Sequence, residues 1–132
     1  MKRPEILSPA GNFEKMCAAI RYGADAVYLA GHIFGMRAAA DNFSVEELSE
    51  AVKYAHERSV KVYLTLNTLP REYEYADLAD FIRELSALPH KIDAAIVADA
   101  GVFALLQELY PELELTVYKG GQEVYDYLIA LE

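Results

Sequence analysis

Short runs of β-branched and aromatic residues alternate along this chain with longer amphipathic stretches. Pro4 to Leu7, Ala26 to Ala30 (AVYLA), Lys61 to Leu66 (KVYLTL), Ala94 to Ala98 (AAIVA) and Leu113 to Tyr118 predict five strands. Helices are predicted over Phe13 to Tyr22, Ser44 to Arg58, Tyr75 to Leu88, Gly101 to Tyr110 and Gln122 to Leu131. The boundaries carry their own signals. Ser8 to Gly11 reads as a turn, Asn12 caps the first helix, and Gly23 ends it. Ser44-Val45-Glu46-Glu47 has the spacing of a capping box. Val45, Leu48, Val52 and Ala55 share one helix face, as do Leu78, Phe81, Ile82 and Leu85.

Strands separated by helices demand a parallel sheet, because a parallel pair needs a crossover connection. The fold class is α/β. Two architectures fit: half of a TIM-type (β/α)8 barrel, or an open flavodoxin-like sheet. A whole barrel takes roughly 250 residues, and this chain has 132. A half-barrel leaves sheet edges and one sheet face to be covered, so a homo-oligomer formed through the exposed edge is expected.

Composition narrows the function classes. With 54% apolar residues the chain folds rather than staying disordered. A net charge of −9 argues against a general binder of nucleic-acid phosphates, but leaves room for a local basic site. Cys17 is the one cysteine, and no Cys/His spacing suggests a metal or an iron–sulfur cluster, so no cofactor is expected in this chain. The start, MKRPEILSPAG, lacks the apolar run of a signal peptide, and no stretch is long enough to span a membrane. The expected location is cytoplasmic.

The candidate chemistry lies where strands end, since loops at the C-terminal ends of parallel strands share one face. The stretch from Gly31 to Phe43 (GHIFGMRAAADNF) exceeds an ordinary strand-to-helix connection and holds glycines, Arg37 and an Asp-Asn pair. Arg37 has the planar fork to grip a carboxylate or phosphate; its plainer role is bracing the loop. Asn67 ends the third strand and suits a substrate amide, or a turn. Asp99 follows the fourth strand, as a general acid or base or as a helix N-cap. These three are the catalytic candidates. Ser8, Gly11, Gly31, Arg37 and Asn42 are the substrate-binding candidates, although Ser8 also suits a turn and Asn42 a cap. A Ser8–His32–Asp99 triad can be drawn, but Ser8 reads better as a turn residue and His32 as packed or solvated. His56 and His90 read as surface and loop residues, and Cys17 as packing.

Several motifs in order carry a resemblance: PEILSPAGNFEKMCAAIRYGADAVYLAG, FGMRAAADNFSVEEL, AVKYAHE, KVYLTLNTL and DAAIVADAGV. Together, from Lys2 to about Leu115, they resemble the collagenase-like peptidase family, peptidase family U32. The resemblance implies a TIM-barrel-type domain, of which residues 1–117 are the N-terminal part. It implies peptide-bond hydrolysis of a peptide or protein substrate by the full-length enzyme, with this half inactive alone. It also implies an alternative: some relatives serve oxygen-independent hydroxylation of tRNA, rRNA or a quinone precursor, several with an iron–sulfur cluster whose ligands lie further on. RNA is a partner under that alternative. A third reading is a non-catalytic, self-associating half-barrel. Tyr118-Lys119-Gly120-Gly121-Gln122 departs from the Ser-Thr-Gln-Ala-Asn-like segment expected there. Residues 118–132 are therefore expected to form a divergent terminal helix on a truncated or frame-shifted half-domain.

Overall fold

A computed structural model describes residues 5–30, 43–66 and 72–117. Within them five strands alternate with four α-helices: β1 (Leu7–Pro9), α1 (Phe13–Arg21), β2 (Ala26–Ala30), α2 (Val45–His56), β3 (Lys61–Leu66), α3 (Tyr75–Ser86), β4 (Ala94–Val97), α4 (Ala100–Leu109) and β5 (Glu114–Val117). A 3₁₀ turn at Glu72–Glu74 precedes α3. The expected terminal helix lies outside the described residues.

All strand pairs are parallel, and their order across the sheet is β1-β2-β3-β4-β5. This order selects between the two architectures. A flavodoxin-like sheet reverses direction at its first strand, whereas an unbroken sequential order is how the strands of a (β/α)8 barrel follow one another. The flavodoxin-like alternative is thereby corrected. Crossovers of one hand in sequential order lay every helix on the same side of the sheet.

Strand alternation then sorts the side chains. Val27 and Leu29 of β2, Val62, Leu64 and Leu66 of β3, and Ala95 and Val97 of β4 are buried beneath the helices. They meet Leu48, Ala51, Val52 and Ala55 from α2, Leu78, Phe81, Ile82 and Leu85 from α3, and Val102 and Leu106 from α4. The opposite face carries buried Ala26 and Ala94 with half-buried Tyr28, Ala30, Tyr63, Thr65 and Ile96. Only one face is fully packed, and the other is the side that a closed barrel turns inward.

The local signals work as the sequence implies. The Asn12 side chain accepts from the Lys15 amide at 2.8 Å. Gly23, with φ +101°, closes α1: its amide bonds Ile20 O and that of Ala24 bonds Ala19 O, which are the paired bonds of a Schellman ending. Ser44 and Glu47 form the reciprocal capping box. One boundary is different. The strand expected at Pro4 to Leu7 runs instead over Leu7–Pro9, so Ser8 lies in a strand rather than a turn. Proline is tolerated there because β1 is an edge strand and needs no second ladder of amide donors.

An internal echo also emerges. DAVYLA (25–30) and DAAIVA (93–98) each open with an aspartate that reaches the strand before it. Asp25 Oδ2 accepts from the Ile6 amide at 2.8 Å, and Asp93 Oδ2 from the Val62 amide at 2.7 Å. Each aspartate thus pins a strand pair at the end opposite the loops that follow the strands.

Candidate functional site

The C-terminal strand ends bring together the residues that follow β1 and β4, and the ends of the stretch that follows β2. That stretch is anchored at its return: the Phe43 amide donates to Ala30 O at 3.0 Å, and the Phe43 ring is buried in the core. Arg37, Asn42, Gly31 and His32 within it, and Asn67 after β3, lie outside the described residues.

Asp99 is described and is held from two sides. Its Oδ2 accepts from the Val102 amide at 2.9 Å, the N-cap bond of α4. The same oxygen accepts from the Tyr75 hydroxyl at 3.0 Å. The bond to Asp99 and burial together push the Tyr75 phenol above its ordinary pKa, so it stays a donor. Gly101 makes this possible. A Cβ there would stand 2.5 Å from the Tyr75 hydroxyl and 2.9 Å from Asp99 Oδ2. Tyr75 is the residue that sequence reading missed, because as the first residue of an amphipathic helix it looks like ordinary packing. The tightness of Gly101, two residues after Asp99, was the available signal.

Ser8 and Gly11 sit at the same strand-end face but at the lateral edge of the sheet, in and after β1. The Ser8 hydroxyl donates to Pro9 O at 3.4 Å, a contact near the limit of a hydrogen bond. A Cβ on Gly11 would meet only Lys15 side-chain atoms at 3.5 and 3.6 Å, so the backbone does not demand glycine there. Strands β1 and β4 are three places apart, which separates Ser8 from Asp99 by about 14 Å at ordinary strand spacing. One histidine side chain does not bridge that distance, so the geometry gives no support to a Ser8–Asp99 hydrolytic triad. His56, expected on a helix surface, is there but partnered, with Nε2 lying 2.8 Å from Asp93 Oδ2. That pair lies at the opposite sheet end.

Among the described residues no group of three or more His, Cys, Asp or Glu is placed to hold a metal ion. Cys17 on α1 neighbours the Tyr54 phenol and helps to raise its pKa above the ordinary value. The cluster implied for some relatives finds no ligand set among these side chains. A groove of about 390 Å³ runs outside the sheet between the start of α2 and α3, with Glu46, Asp77, Asp80 and Glu84 around Phe81. No helix among the described residues is long and apolar enough to cross a membrane.

Comparison with known proteins agrees with this architecture. A family profile described as peptidase family U32 matches residues 11–119. A tRNA hydroxylation protein P1 of Bacillus subtilis (strain 168) is 37% identical over 114 residues, covering 86% of this chain and 26% of that protein. A collagenase of Porphyromonas gingivalis (strain ATCC BAA-308 / W83) is 34% identical over 113 residues, covering 85% of this chain and 27% of that protein. The chain therefore spans about a quarter of the length of these curated relatives. The solved structure of a U32 peptidase superposes with a TM-score of 0.64 at 15% identity, over 89% of this chain and 48% of that one. At that identity the likeness concerns the fold alone.

Proposed function

The chain belongs to peptidase family U32, and from that premise we propose that it supplies the N-terminal β/α units of an RNA-hydroxylating protein rather than of a peptidase. The observation that carries this reading is the state of Asp99. Its Oδ2 is occupied by the Val102 amide and the Tyr75 hydroxyl, which leaves Oδ1 to accept from an N–H or O–H donor of a substrate. A fixed carboxylate between two donors serves recognition and orientation better than proton shuttling. Among the described residues no serine or threonine hydroxyl is hydrogen-bonded to a His, Asp or Glu side chain, its bonds going to backbone carbonyls instead, whereas hydrolysis by such a nucleophile would require a base beside it. The tRNA hydroxylation relative supports the same reading. Asp99 would orient a nucleobase or ribose, with Tyr75 as its positioning residue.

The peptidase reading, which the sequence motifs suggested first, stays as the second, because a relative carrying the name collagenase matches over most of the chain. One experiment separates the two. The gene encoding this chain is deleted, and total tRNA and rRNA are digested to nucleosides for mass spectrometry. Disappearance of a hydroxylated nucleoside, restored by the wild-type gene and not by Asp99→Ala, is the expected result. An unchanged nucleoside profile together with lost gelatin hydrolysis would return the protein to the peptidases.

A further inference from the structure

A second cavity lies at the other end of the sheet, between the C-terminal turns of α1 and α2. Its volume is about 400 Å³, and its lining is Ile20, Arg21, Ala24, Tyr54, Arg58 and Val60. Arg58 stacks over the Tyr54 ring at 3.5 Å from the centroid, and its Nη1 donates to Tyr54 O at 3.0 Å. Phe13 meets the same ring edge-on, with centroids 5.4 Å apart. The guanidinium plane and the phenol are thus fixed in place. Arg21 approaches from the last turn of α1. Interaction with Cys17 and burial raise the Tyr54 pKa, while the charges of Arg58 and Arg21 pull against that rise. Both guanidinium-bearing residues line one cavity with Tyr54.

A cation in a last helical turn ordinarily answers the helix dipole and the free carbonyls. Arg58 does this with one nitrogen and keeps its other donors. Arg21 makes no hydrogen bond or ion pair among the described residues, and the carboxylate beside Arg58 is that of Glu57, at a loose 3.8 Å. Two like charges sharing one small cavity repel each other unless an anion sits between them. That this pair occurs in a chain of net charge −9 makes it a local exception to the surface around it. The walls suit a particular anion. Planar guanidiniums match the oxygens of a phosphate. Ile20, Ala24 and Val60 give an apolar floor for a sugar. Tyr22, next to Arg21 and 89% exposed, offers a ring for stacking.

We infer that this cavity is a phosphate-contact site for an RNA strand, in which Arg21 and Arg58 grip one phosphodiester beside Tyr54. The inference rests on the RNA-directed reading above and adds where the strand is held. The site lies away from Asp99, so it contributes affinity and register rather than chemistry.

The test is fluorescence anisotropy of the full 132-residue chain with a labelled single-stranded RNA, titrated at several salt concentrations, with inorganic phosphate and a nucleoside monophosphate as competitors. Arg21→Ala and Arg58→Ala should each weaken binding severalfold, whatever the RNA sequence, and each should reduce the slope of log affinity against log salt by about 1. Arg21→Ala protects the conclusion against a folding artefact, because that side chain braces nothing. Wild-type RNA binding with affinity and slope unchanged in both variants would overturn this site and leave the hydroxylation reading, judged by the nucleoside profile, untouched. A wild-type chain that takes up phosphate or the mononucleotide but no RNA would overturn the RNA occupant.

Discussion

Gly101 shows how one missing methyl group organises the site. The space a Cβ would fill is taken by the Tyr75 hydroxyl and Asp99 Oδ2. Gly101→Ala should therefore push Tyr75 off Asp99 and cost about 1–3 kcal/mol, the usual penalty of overpacking. The double variant Gly101→Ala/Tyr75→Phe lacks the clashing oxygen and should recover much of the loss in urea denaturation. A double variant no more stable than Gly101→Ala alone would mean the hydroxyl is not what glycine accommodates. Ser59 makes the complementary case. It ends α2 at φ +59°, with its own amide bonded to His56 O and the Val60 amide bonded to Ala55 O. A side chain in the left-handed region costs about 1 kcal/mol, so Ser59→Gly should raise stability by up to that amount. An unchanged denaturation midpoint would place the strain elsewhere.

At the level of the elements, the helix ends and the exposed strand face respond differently. Ser44→Ala removes one half of a capping box whose two bonds are both 3.2 Å long, and should cost about 1 kcal/mol. Tyr63 on β3 makes the pH prediction. Burial first, then its hydrogen bond to Glu5 and the charges of Glu5, Glu114 and Asp93, push its phenol up to about 12 from the ordinary 10.0. Between those pH values the unfolded chain loses a proton that the folded chain keeps, so stability falls as pH rises through the window. The fall should be well below the ~3 kcal/mol of an unscreened two-unit shift, because water reaches this face. Tyr63→Phe should remove that Tyr63 component of the alkaline slope, as read from denaturation midpoints at pH 9.5 to 11.5.

Across the whole molecule, the covered and uncovered faces of the sheet set the behaviour of the isolated chain. Helices cover one face, while the other presents half-buried Tyr28, Tyr63 and Ile96 near exposed Ile6 and Leu7. An apolar face of this kind ordinarily seeks cover. The chain by itself is expected to self-associate and to bind an apolar dye, with both effects reduced by Leu7→Lys. A monomer at all concentrations without dye binding would show that residues beyond those described already cover the face.

Much of this was legible in the residues themselves. The alternation of β runs and amphipathic stretches, Asn12, Gly23 and the Ser44–Glu47 pair fix local structure through neighbours a few positions away, and local periodicity and capping are properties of sequence. The family was legible too, because its motifs are contiguous strings. Strand order was not. Half a barrel and a flavodoxin-like sheet share the same succession of elements and differ only in which strands pair, which long-range contacts decide. The start of β1 shifted for the same reason, since its register is set by β2. So did the partners of Asp99 and His56, which come from residues 24 and 37 positions away. The meeting of Arg21 and Arg58 at one cavity likewise needs two helices side by side. Sequence determined the elements and the helix caps, and tertiary structure decided strand register and which distant side chains share a space.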